Sequence, residues 1–366
     1  MRVALDVSAA LGDRPTGVSR AVCGLIAGFS ETADTDEFIL CIRWSRWRPW
    51  RSLSRVGRAR RFRTTLFGRH LPRSLSRSID LFHGPDVRLP SHDEVPFVST
   101  FHDLSALHDG GFTPERFRER RISQWEEAVE KASAIVVYSN AIRREVRERF
   151  SLTADRVVTI PLGVSSAFRR LPPTEVERAR RRFGLPAKYL LSVGGLSRRK
   201  GSVHLMEAFR RVDDPDLVLV ICGRDGYGSE EAVEAIQRLG LAHRVRRLGH
   251  ISADGDLVAL YSGASACVLP SLYEGFGLSV LEAMACQTPV VATKAPAVAE
   301  VAGDAARLVP VAEPERLSDA ISEVLGDEVL RETLVARGIE RAKRFPWAST
   351  AMTTLKVYSS LLEQVR

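Results

Sequence analysis

The segment from Leu269 to Thr293 constrains the fold more than any other part of the chain. It reads as an apolar strand ending at Pro270, a turn containing Gly275 and Gly277, a short helix, and a second apolar strand after Pro289. Glycine adopts turn angles that other residues resist, and proline ends a helix. Short apolar strands on either side of a helix are typical of a buried parallel sheet, so the sequence predicts an α/β fold.

Two acidic residues stand out in this segment. Glu274 lies in the turn at the carboxyl end of the first strand, and Glu282 lies within the helix. A helix N-terminus suits phosphate oxygens, whereas carboxylates repel phosphate and suit sugar hydroxyls. Both could instead be ordinary solvated acids. Against that alternative, Glu282 is the only charged residue between Gly275 and Thr293, and an acid in an apolar segment requires an explanation.

The segment resembles the signature of the family-four retaining glycosyltransferases of the GT-B fold. There, two glutamates eight positions apart flank a Gly-Phe-Gly turn that is followed by Leu-Glu-Ala-Met-Ala and Pro-Val-Val-Ala, as in this chain. The differences fall mainly at Ser279, where proline is frequent, and at Gln287, where glycine is usual. The resemblance implies two Rossmann-like domains facing across a cleft, with Glu274 contacting the donor sugar and Glu282 contacting the ribose.

The same resemblance implies that two glycine-containing loops bind the donor. Residues 16–20, Thr-Gly-Val-Ser-Arg, resemble the donor-side glycine loop of the family, although they could equally form a plain connection. The substrate-binding residues predicted from these two segments, besides Glu282, are Gly17, Gly275, Phe276, Gly277, Leu278 and Ser279.

A third candidate is the turn at 194–201, which has two glycines followed by three cations. Such a turn can bind an anion, or it can simply be exposed and basic. A mannosyltransferase-like branch of the family ends this turn in Arg-Lys. This implies that Arg199 and Lys200 hold the diphosphate, with Arg198 as a further candidate. Gly194 and Gly195 are predicted to bind substrate, although many relatives have arginine where Gly195 stands.

His102 follows a predicted strand at 97–101 and precedes Asp103. A histidine at the carboxyl end of a strand can donate to a sugar hydroxyl or orient an acceptor, although a lone histidine is more often structural. The order His-Gly-Pro, Leu-Pro, Val-Pro and Thr-x-His-Asp-Leu resembles the same branch, where this histidine lies over the donor sugar. The predicted catalytic set is His102, Glu274, Arg199 and Lys200.

The length of 366 residues fits two domains. Apolar strands alternate with helical patterns, and a proline-rich stretch at 161–173 predicts a hinge. We expect an acceptor-side Rossmann-like domain at 1–165 and a nucleotide-sugar-binding Rossmann-like domain at 186–345. By resemblance, a C-terminal helix at 346–366 crosses back to the first domain.

Several features bear on location and cofactors. No uncharged apolar run reaches about 18 residues, and Asp6 interrupts the N-terminal strand too early for a signal peptide. A cytoplasmic protein with reduced cysteines is therefore expected. The Asp-x-Asp patterns at 34/36, 214/216 and 254/256 are explained by turns and a helix start. Neither a metal nor a cofactor is predicted.

The stretch between Glu37 and Asp80 contains 12 arginines and no acidic residue, with Trp44, Trp47 and Trp50 interleaved. A solvated basic loop explains this as well as a functional surface does. If the surface is functional, Arg43 to Arg77 would meet an anionic acceptor or the anionic inner face of the plasma membrane.

These observations lead to one hypothesis and two alternatives. The hypothesis is a metal-independent hexosyltransferase that uses a nucleotide diphosphate sugar, with mannose favoured by the branch resemblance. Resemblance also implies retention of configuration and an acceptor hydroxyl in cell-envelope glycan or glycolipid synthesis. With a net charge of +8, the chain could instead bind nucleic acid or membrane on a GT-B scaffold, but it carries no recognised nucleic-acid motif. A glycoside phosphorylase would need a cofactor-bearing lysine, which we cannot identify.

Overall fold

The computed structural model describes residues 1–11, 16–32, 35–46, 62–91, 95–108 and 111–365. The chain divides into two compact units. Unit 1 comprises Met1–Leu104, Arg116–Gly163 and Phe345–Arg366, and unit 2 comprises Ser105–Glu115 and Val164–Arg344. Each unit is a Rossmann-like α/β domain built on its own parallel sheet.

Unit 1 contains a seven-stranded sheet of order β3-β2-β1-β4-β5-β6-β7. Its strands are Arg2–Asp6 (β1), Glu37–Arg43 (β2), Phe62–Phe67 (β3), Leu81–Gly84 (β4), Phe97–Phe101 (β5), Ala134–Val137 (β6) and Val157–Thr159 (β7). Its helices are Gly17–Thr32 (α1), Arg73–Ser76 (α2), Glu115–Lys131 (α3), Asn140–Phe150 (α4) and Trp347–Val365 (α13).

Unit 2 contains a six-stranded sheet of order β10-β9-β8-β11-β12-β13. Its strands are Tyr189–Val193 (β8), Val218–Cys222 (β9), Val245–Gly249 (β10), Ala266–Leu269 (β11), Val290–Thr293 (β12) and Arg307–Val309 (β13). Its helices are Pro173–Phe183 (α5), Ser202–Arg211 (α6), Ser229–Arg238 (α7), Asp254–Gly263 (α8), Leu278–Ala285 (α9), Pro296–Ala302 (α10), Pro314–Gly326 (α11) and Glu328–Lys343 (α12).

The central strands explain the apolar runs in the sequence. Strands β4, β6, β11 and β12 are buried along their whole length. In a parallel sheet with helices on both faces, neither side of a strand meets water, so the sequence shows continuous apolar runs instead of alternation. All strand pairs within each described sheet are parallel.

Two local features were not predicted. Strand β3 lies inside the arginine-rich stretch and pairs with β2 as the edge strand of the sheet, from Phe38↔Phe62 to Arg43↔Phe67. Its middle residues are partly exposed, because an edge strand has a neighbour on one side only. The N-cap of α4 is Ser139, whose hydroxyl accepts from the Ile142 amide.

Helix α13 packs on α1 within unit 1. Its first residue, Trp347, is buried against Gly24 and Gly28 of α1 and against Gly163. Further along α13, the Tyr358 hydroxyl hydrogen-bonds Nδ1 of the buried His83 at 2.5 Å. The C-terminal helix is therefore part of the core of unit 1.

His83 is a structural histidine that the sequence analysis did not single out. Its second nitrogen, Nε2, lies 2.8 Å from the Thr100 hydroxyl. Burial, with a smaller contribution from His102, lowers the pKa of His83 to about 3. The imidazole is therefore neutral in the folded protein near neutral pH.

Gln287 is a strained position in the turn after α9. Its φ is +59°, in the left-handed region that costs an L-residue about 1 to 2 kcal/mol, and its side chain is exposed. Glycine adopts this conformation without strain but loses more backbone entropy on folding. We expect Gln287→Gly to raise the free energy of unfolding by roughly 0.5 to 1 kcal/mol in urea denaturation. Gln287→Ala keeps the strain and should give no gain, whereas a destabilised glycine variant would contradict this explanation.

Candidate functional site

In the sheet of unit 2, strand order reverses between β8 and β11, which are neighbours in space. Ligands of open α/β sheets bind at the carboxyl ends of strands beside such a switch point. The loop after β8 (194–201) and the loop after β11 (270–277) flank it. The Leu272 amide donates to the Arg199 carbonyl at 2.9 Å, which joins the two loops.

Glu274 is the centre of a charged cluster at this switch point. Its carboxylate accepts hydrogen bonds from Lys200 Nζ at 2.5 Å, from Ser271 Oγ at 2.7 Å and from Arg199 Nη1 at 2.9 Å. Its side chain is only 9% exposed. Burial by itself would raise the pKa of Glu274, but Lys200, Arg199 and the hydrogen bonds outweigh it and lower the pKa to about 2. The carboxylate is therefore ionised at neutral pH.

Two cations meet one carboxylate in this cluster. Arg199 and Lys200 bring two cations to the single carboxylate of Glu274. Their side chains are 26% and 18% exposed, so both remain within reach of a ligand while being poorly screened by water. Partly buried cations attract anions more strongly than solvated cations do.

Arg198 belongs to a different local structure. Its guanidinium forms an ion pair with Glu231 and lies over the Tyr227 ring, 5.2 Å from the ring centroid. Its amide donates to the Tyr227 carbonyl at 3.0 Å. The structure thus places Arg199 and Lys200 against Glu274, whereas the Arg198 guanidinium pairs with Glu231 of α7.

The two glycines of the first loop have a packing role. The amides of Gly194 and Gly195 both donate to the Cys222 carbonyl, at 2.7 and 2.9 Å. Gly195 has φ +71°, and a Cβ there would lie 2.0 Å from the Arg224 carbonyl oxygen, so a side chain cannot fit. Substrate binding by Gly194 and Gly195 stays a prediction, and any such contact has to use atoms other than these amides.

The second loop leads into α9. Gly275, Phe276 and Gly277 are buried, while Leu278 and Ser279, the first helical residues, are half-buried. Gly277 is the N-cap, with φ +103°, and supplies no side-chain cap. The Val280 amide donates to the Gly277 carbonyl at 2.9 Å, whereas helix geometry gives the amides of Leu278 and Ser279 no acceptor within the helix. Amides of this kind suit an anion, and anion binding at this end of α9 stays a prediction.

Glu282 lies inside α9 and is 4% exposed. The Tyr261 hydroxyl, from α8, donates to its Oε2 at 2.9 Å. Glu282 was predicted because it is the lone charge in its segment, whereas Tyr261 was not predicted. Tyr261 lies in the apolar helix α8, where burial alone would account for an aromatic residue.

A segment that lies between strands of unit 1 in sequence belongs to unit 2 in the fold. Ser105–Glu115 is grouped with unit 2, and two of its rings contact the loop that carries Glu274. The rings of His108 and Phe112 lie 4.2 and 6.3 Å from the ring of Tyr273, centroid to centroid. Neither residue was predicted as a site residue, because the sequence does not show that this segment packs with unit 2.

His102 lies in unit 1 after β5 and is half-buried. Its Nε2 is 2.7 Å from the Pro85 carbonyl, and its ring meets Tyr138 edge to face at 5.1 Å. Because a carbonyl only accepts, Nε2 carries the proton and Nδ1 is the acceptor nitrogen. Burial lowers the pKa of His102, and Pro85, Asp86 and Asp103 partly oppose this. A neutral imidazole results.

Gly17 is exposed at the start of α1. Thr16 and Ser19 cap this helix reciprocally: the Thr16 amide donates to Ser19 Oγ at 2.6 Å, and the Ser19 amide donates to Thr16 Oγ1 at 3.2 Å. The residues just before it, Gly-Asp-Arg-Pro at 12–15, lie outside the described residues.

One aspartate of each Asp-x-Asp pattern has an ordinary partner. Asp36 accepts from the N-terminal ammonium at 2.8 Å, Asp214 accepts from Lys188 at 2.5 Å, and Asp256 forms an ion pair with Arg182. Asp34 is not among the described residues. Within the described ranges, no three His, Cys, Asp or Glu side chains are placed to hold a metal ion.

The arginine-rich stretch is only partly described. Arg43 forms an ion pair with the buried Asp6, Nε to Oδ2 at 2.7 Å, so it is a structural cation. Trp44 is 59% exposed. In the part of the chain that the structure covers, no helix is both long and apolar enough to span a membrane. The predicted residues that lie outside the described ranges are Trp47, Arg48, Trp50, Arg51, Arg55, Arg58, Arg60 and Arg61.

Comparison with known proteins fits this geometry. The profile for Glycosyltransferase Family 4 matches residues 9–168, and the profile for Glycosyl transferases group 1 matches residues 174–341. The O-antigen chain mannosyltransferase B of Escherichia coli is 32% identical over 288 residues, which cover 77% of this chain and 74% of that protein. The chain is a family-four glycosyltransferase. The family predicted from the signature segment is therefore confirmed.

Solved structures confirm the GT-B fold of this glycosyltransferase. Sucrose-phosphate synthase from Thermosynechococcus elongatus superimposes with a TM-score of 0.78 at 23% identity and covers 100% of both chains. Anabaena HepE in complex with UDP and glucose gives a TM-score of 0.77 at 18% identity, over 98% of this chain and 100% of that one. At these identities the likeness shows the fold alone.

Proposed function

We propose that this glycosyltransferase moves a hexose, with mannose favoured, from a nucleotide diphosphate sugar such as GDP-mannose to a hydroxyl of a cell-envelope glycan or glycolipid. The observation that carries the proposal is the buried cluster in which Arg199 and Lys200 meet Glu274 at the switch point of unit 2. This one site combines two cations that suit a diphosphate with a carboxylate that suits sugar hydroxyls.

Arg199 and Lys200 are assigned to the diphosphate. Negative charge grows on the leaving diphosphate as the sugar departs, and preorganised cations stabilise that charge most where water is scarce. Both side chains are mostly buried. In this proposal they supply the charge that a divalent metal supplies in other transferases, so the reaction is metal-independent.

Glu274 is assigned to the hydroxyls of the donor sugar. An ionised carboxylate has about four lone-pair sites, and three described donors, Lys200, Arg199 and Ser271, already use part of them. A carboxylate held by two cations is a weak nucleophile, which argues against a covalent sugar intermediate on Glu274. Front-face attack with retention, assisted by the leaving phosphate, is the mechanism we favour.

The remaining predicted residues complete the proposed site. Glu282 contacts ribose, and the amides that begin α9 contact phosphate. Nδ1 of His102 accepts a hydrogen bond from a sugar hydroxyl. The acceptor is assigned to unit 1, and the O-antigen mannosyltransferase relative supports an envelope glycan. We place the reaction in the cytoplasm, at the inner face of the plasma membrane, where the exposed Trp44 and the cations between Arg46 and Arg77 suit an anionic surface.

A panel of nucleotide sugars tests this proposal. The protein is incubated with GDP-mannose, UDP-glucose and UDP-N-acetylglucosamine without acceptor, and slow release of the nucleotide is followed. We expect one donor to be preferred and excess chelator to leave its rate unchanged. Glu282→Ala should weaken binding of that donor by about 1 to 3 kcal/mol in calorimetry, because a charged partner of the ribose is lost.

The matched control is Glu323→Ala, which removes a glutamate of unit 2 whose ion pair with Arg307 is 43% exposed on both sides. It should leave donor affinity unchanged. Release from none of the donors, or a rate that collapses with chelator and returns with manganese, would overturn the proposal.

A further inference from the structure

A buried tyrosine holds the carboxylate that we assign to ribose. Tyr261 is 0% exposed and its hydroxyl donates to Glu282 Oε2 at 2.9 Å. A hydroxyl that donates to one carboxylate oxygen uses one lone pair of that oxygen and fixes the direction of the carboxylate group. The contact therefore constrains the position of the Glu282 side chain.

The tyrosine is itself fixed in place. The hydroxyl of Thr288, which follows α9, donates to the Tyr261 carbonyl at 2.6 Å. The ring of Phe168 meets the Tyr261 ring edge to face at 6.1 Å. Its backbone and its ring are thus held by different parts of unit 2, so the hydroxyl occupies a defined position against α9.

We infer that Tyr261 is a positioning residue for nucleotide recognition: its hydroxyl sets the rotamer of Glu282 so that the carboxylate faces the ribose hydroxyls. The inference rests on the proposed function, since it takes the donor to be a nucleotide diphosphate sugar. A glutamate side chain loses substantial rotamer entropy when it is ordered. Because Tyr261 orders Glu282 before the donor arrives, binding does not have to supply that ordering.

The test is Tyr261→Phe, which keeps the buried ring and removes one oxygen. Calorimetry measures the affinity of GDP and of UDP, each with its 2′-deoxy and 3′-deoxy counterpart, for the wild type and the variant. For the nucleotide that the wild type binds, we expect roughly 5- to 30-fold weaker binding, because the variant has to order the Glu282 side chain when the nucleotide binds. One deoxynucleotide lacks the ribose hydroxyl that donates a hydrogen bond to Glu282. The wild type and the variant should bind that deoxynucleotide with equal affinity.

Steady-state kinetics give a second readout. Donor KM should rise by a similar factor while kcat changes by less than about twofold, because ribose contacts are the same in the ground state and the transition state. Tyr189→Phe is the matched control. Tyr189 is also 0% exposed in unit 2, and its hydroxyl donates to the Leu260 carbonyl at 2.7 Å. Its loss should lower thermal stability and leave the ratio of ribonucleotide to deoxynucleotide affinity unchanged.

The outcomes separate this inference from the proposed function. If Glu282→Ala weakens nucleotide binding and Tyr261→Phe does not, the positioning role is wrong and the donor site stands. The role is also wrong if Tyr261→Phe weakens the ribonucleotide and both deoxynucleotides equally, since the tyrosine then acts through the fold. If neither nucleotide binds the wild type, the ribose assignment fails and this inference fails with it.

Discussion

Replacing Lys200 with alanine is expected to lower kcat by about 10²- to 10³-fold while weakening donor binding by less than about tenfold. In the structure the Lys200 ammonium lies 2.5 Å from Glu274 in a mostly buried cluster with Arg199. A cation in such surroundings acts most strongly where charge develops during the reaction, namely on the departing diphosphate. Single-turnover rates and calorimetric affinities for the donor, measured on the same protein, give the two effects separately.

Arg198, two residues before Lys200, provides a matched control. It is in the same loop, but its half-buried guanidinium pairs with Glu231. Arg198→Ala should therefore change kcat by less than about threefold, since the ion pair of Arg198 does not involve Glu274. If Lys200→Ala reduced kcat and affinity by the same factor, Lys200 would be a ground-state anchor without a special role in the transition state.

The pH dependence of the Lys200 variant provides a further check. Lys200 is the strongest of the charges that hold the pKa of Glu274 at about 2. Its removal should raise that pKa, so activity that needs the ionised carboxylate should be lost at a higher pH in the variant than in the wild type. The free energy of unfolding should depend on pH in the same direction. The ion pair between Lys200 and Glu274 stabilises the fold above the ordinary pKa of glutamate, and this stabilisation is lost as the pH falls towards about 2.

The signature segment made part of this site predictable. Glycines and prolines fixed the strand, turn and helix around Glu274, and the lone charge of Glu282 in an apolar run indicated a buried role. Local sequence could not show that Arg199 meets Glu274, because the two residues are 75 positions apart in the chain. They meet because β8 and β11 are neighbours in the sheet, and strand order is decided by the packing of the whole unit.

The features that sequence reasoning missed depend on burial and on backbone partners. In the sequence, Tyr261 is an ordinary aromatic residue of an apolar helix. Only the structure shows that its hydroxyl donates to Glu282. Gly194 and Gly195 are predicted to bind substrate, and the sequence could not show that the amides of both donate to the Cys222 carbonyl. Strand β3 was hidden because its arginine-rich surroundings lack the apolar run of a central strand, which an edge strand does not need.

The second large effect is expected from Gly28→Ala in helix α1. A Cβ at this position would lie 2.4 Å from the backbone oxygen of Trp347 and 2.8 Å from Cβ of Ala351, both in α13. Backbone cannot yield as a flexible side chain can, so α13 has to move off α1. Overpacking alone costs about 1 to 3 kcal/mol. Displacement would also weaken the buried contact between Tyr358 and His83, so we expect a loss of roughly 3 kcal/mol or more in the free energy of unfolding.

Gly17→Ala, at the other end of the same helix, is the control for this substitution. Nothing lies within 4 Å of a Cβ at Gly17, and alanine favours helix over glycine by up to about 1 kcal/mol. That variant should be as stable as the wild type or slightly more stable. Urea denaturation followed by tryptophan fluorescence compares the two variants, and limited proteolysis tests whether α13 is released first in Gly28→Ala. Equal stability of the two variants would contradict this expectation. It would show that α1 and α13 can move apart slightly without lowering the free energy of unfolding, and that burial of Trp347 does not require glycine at position 28.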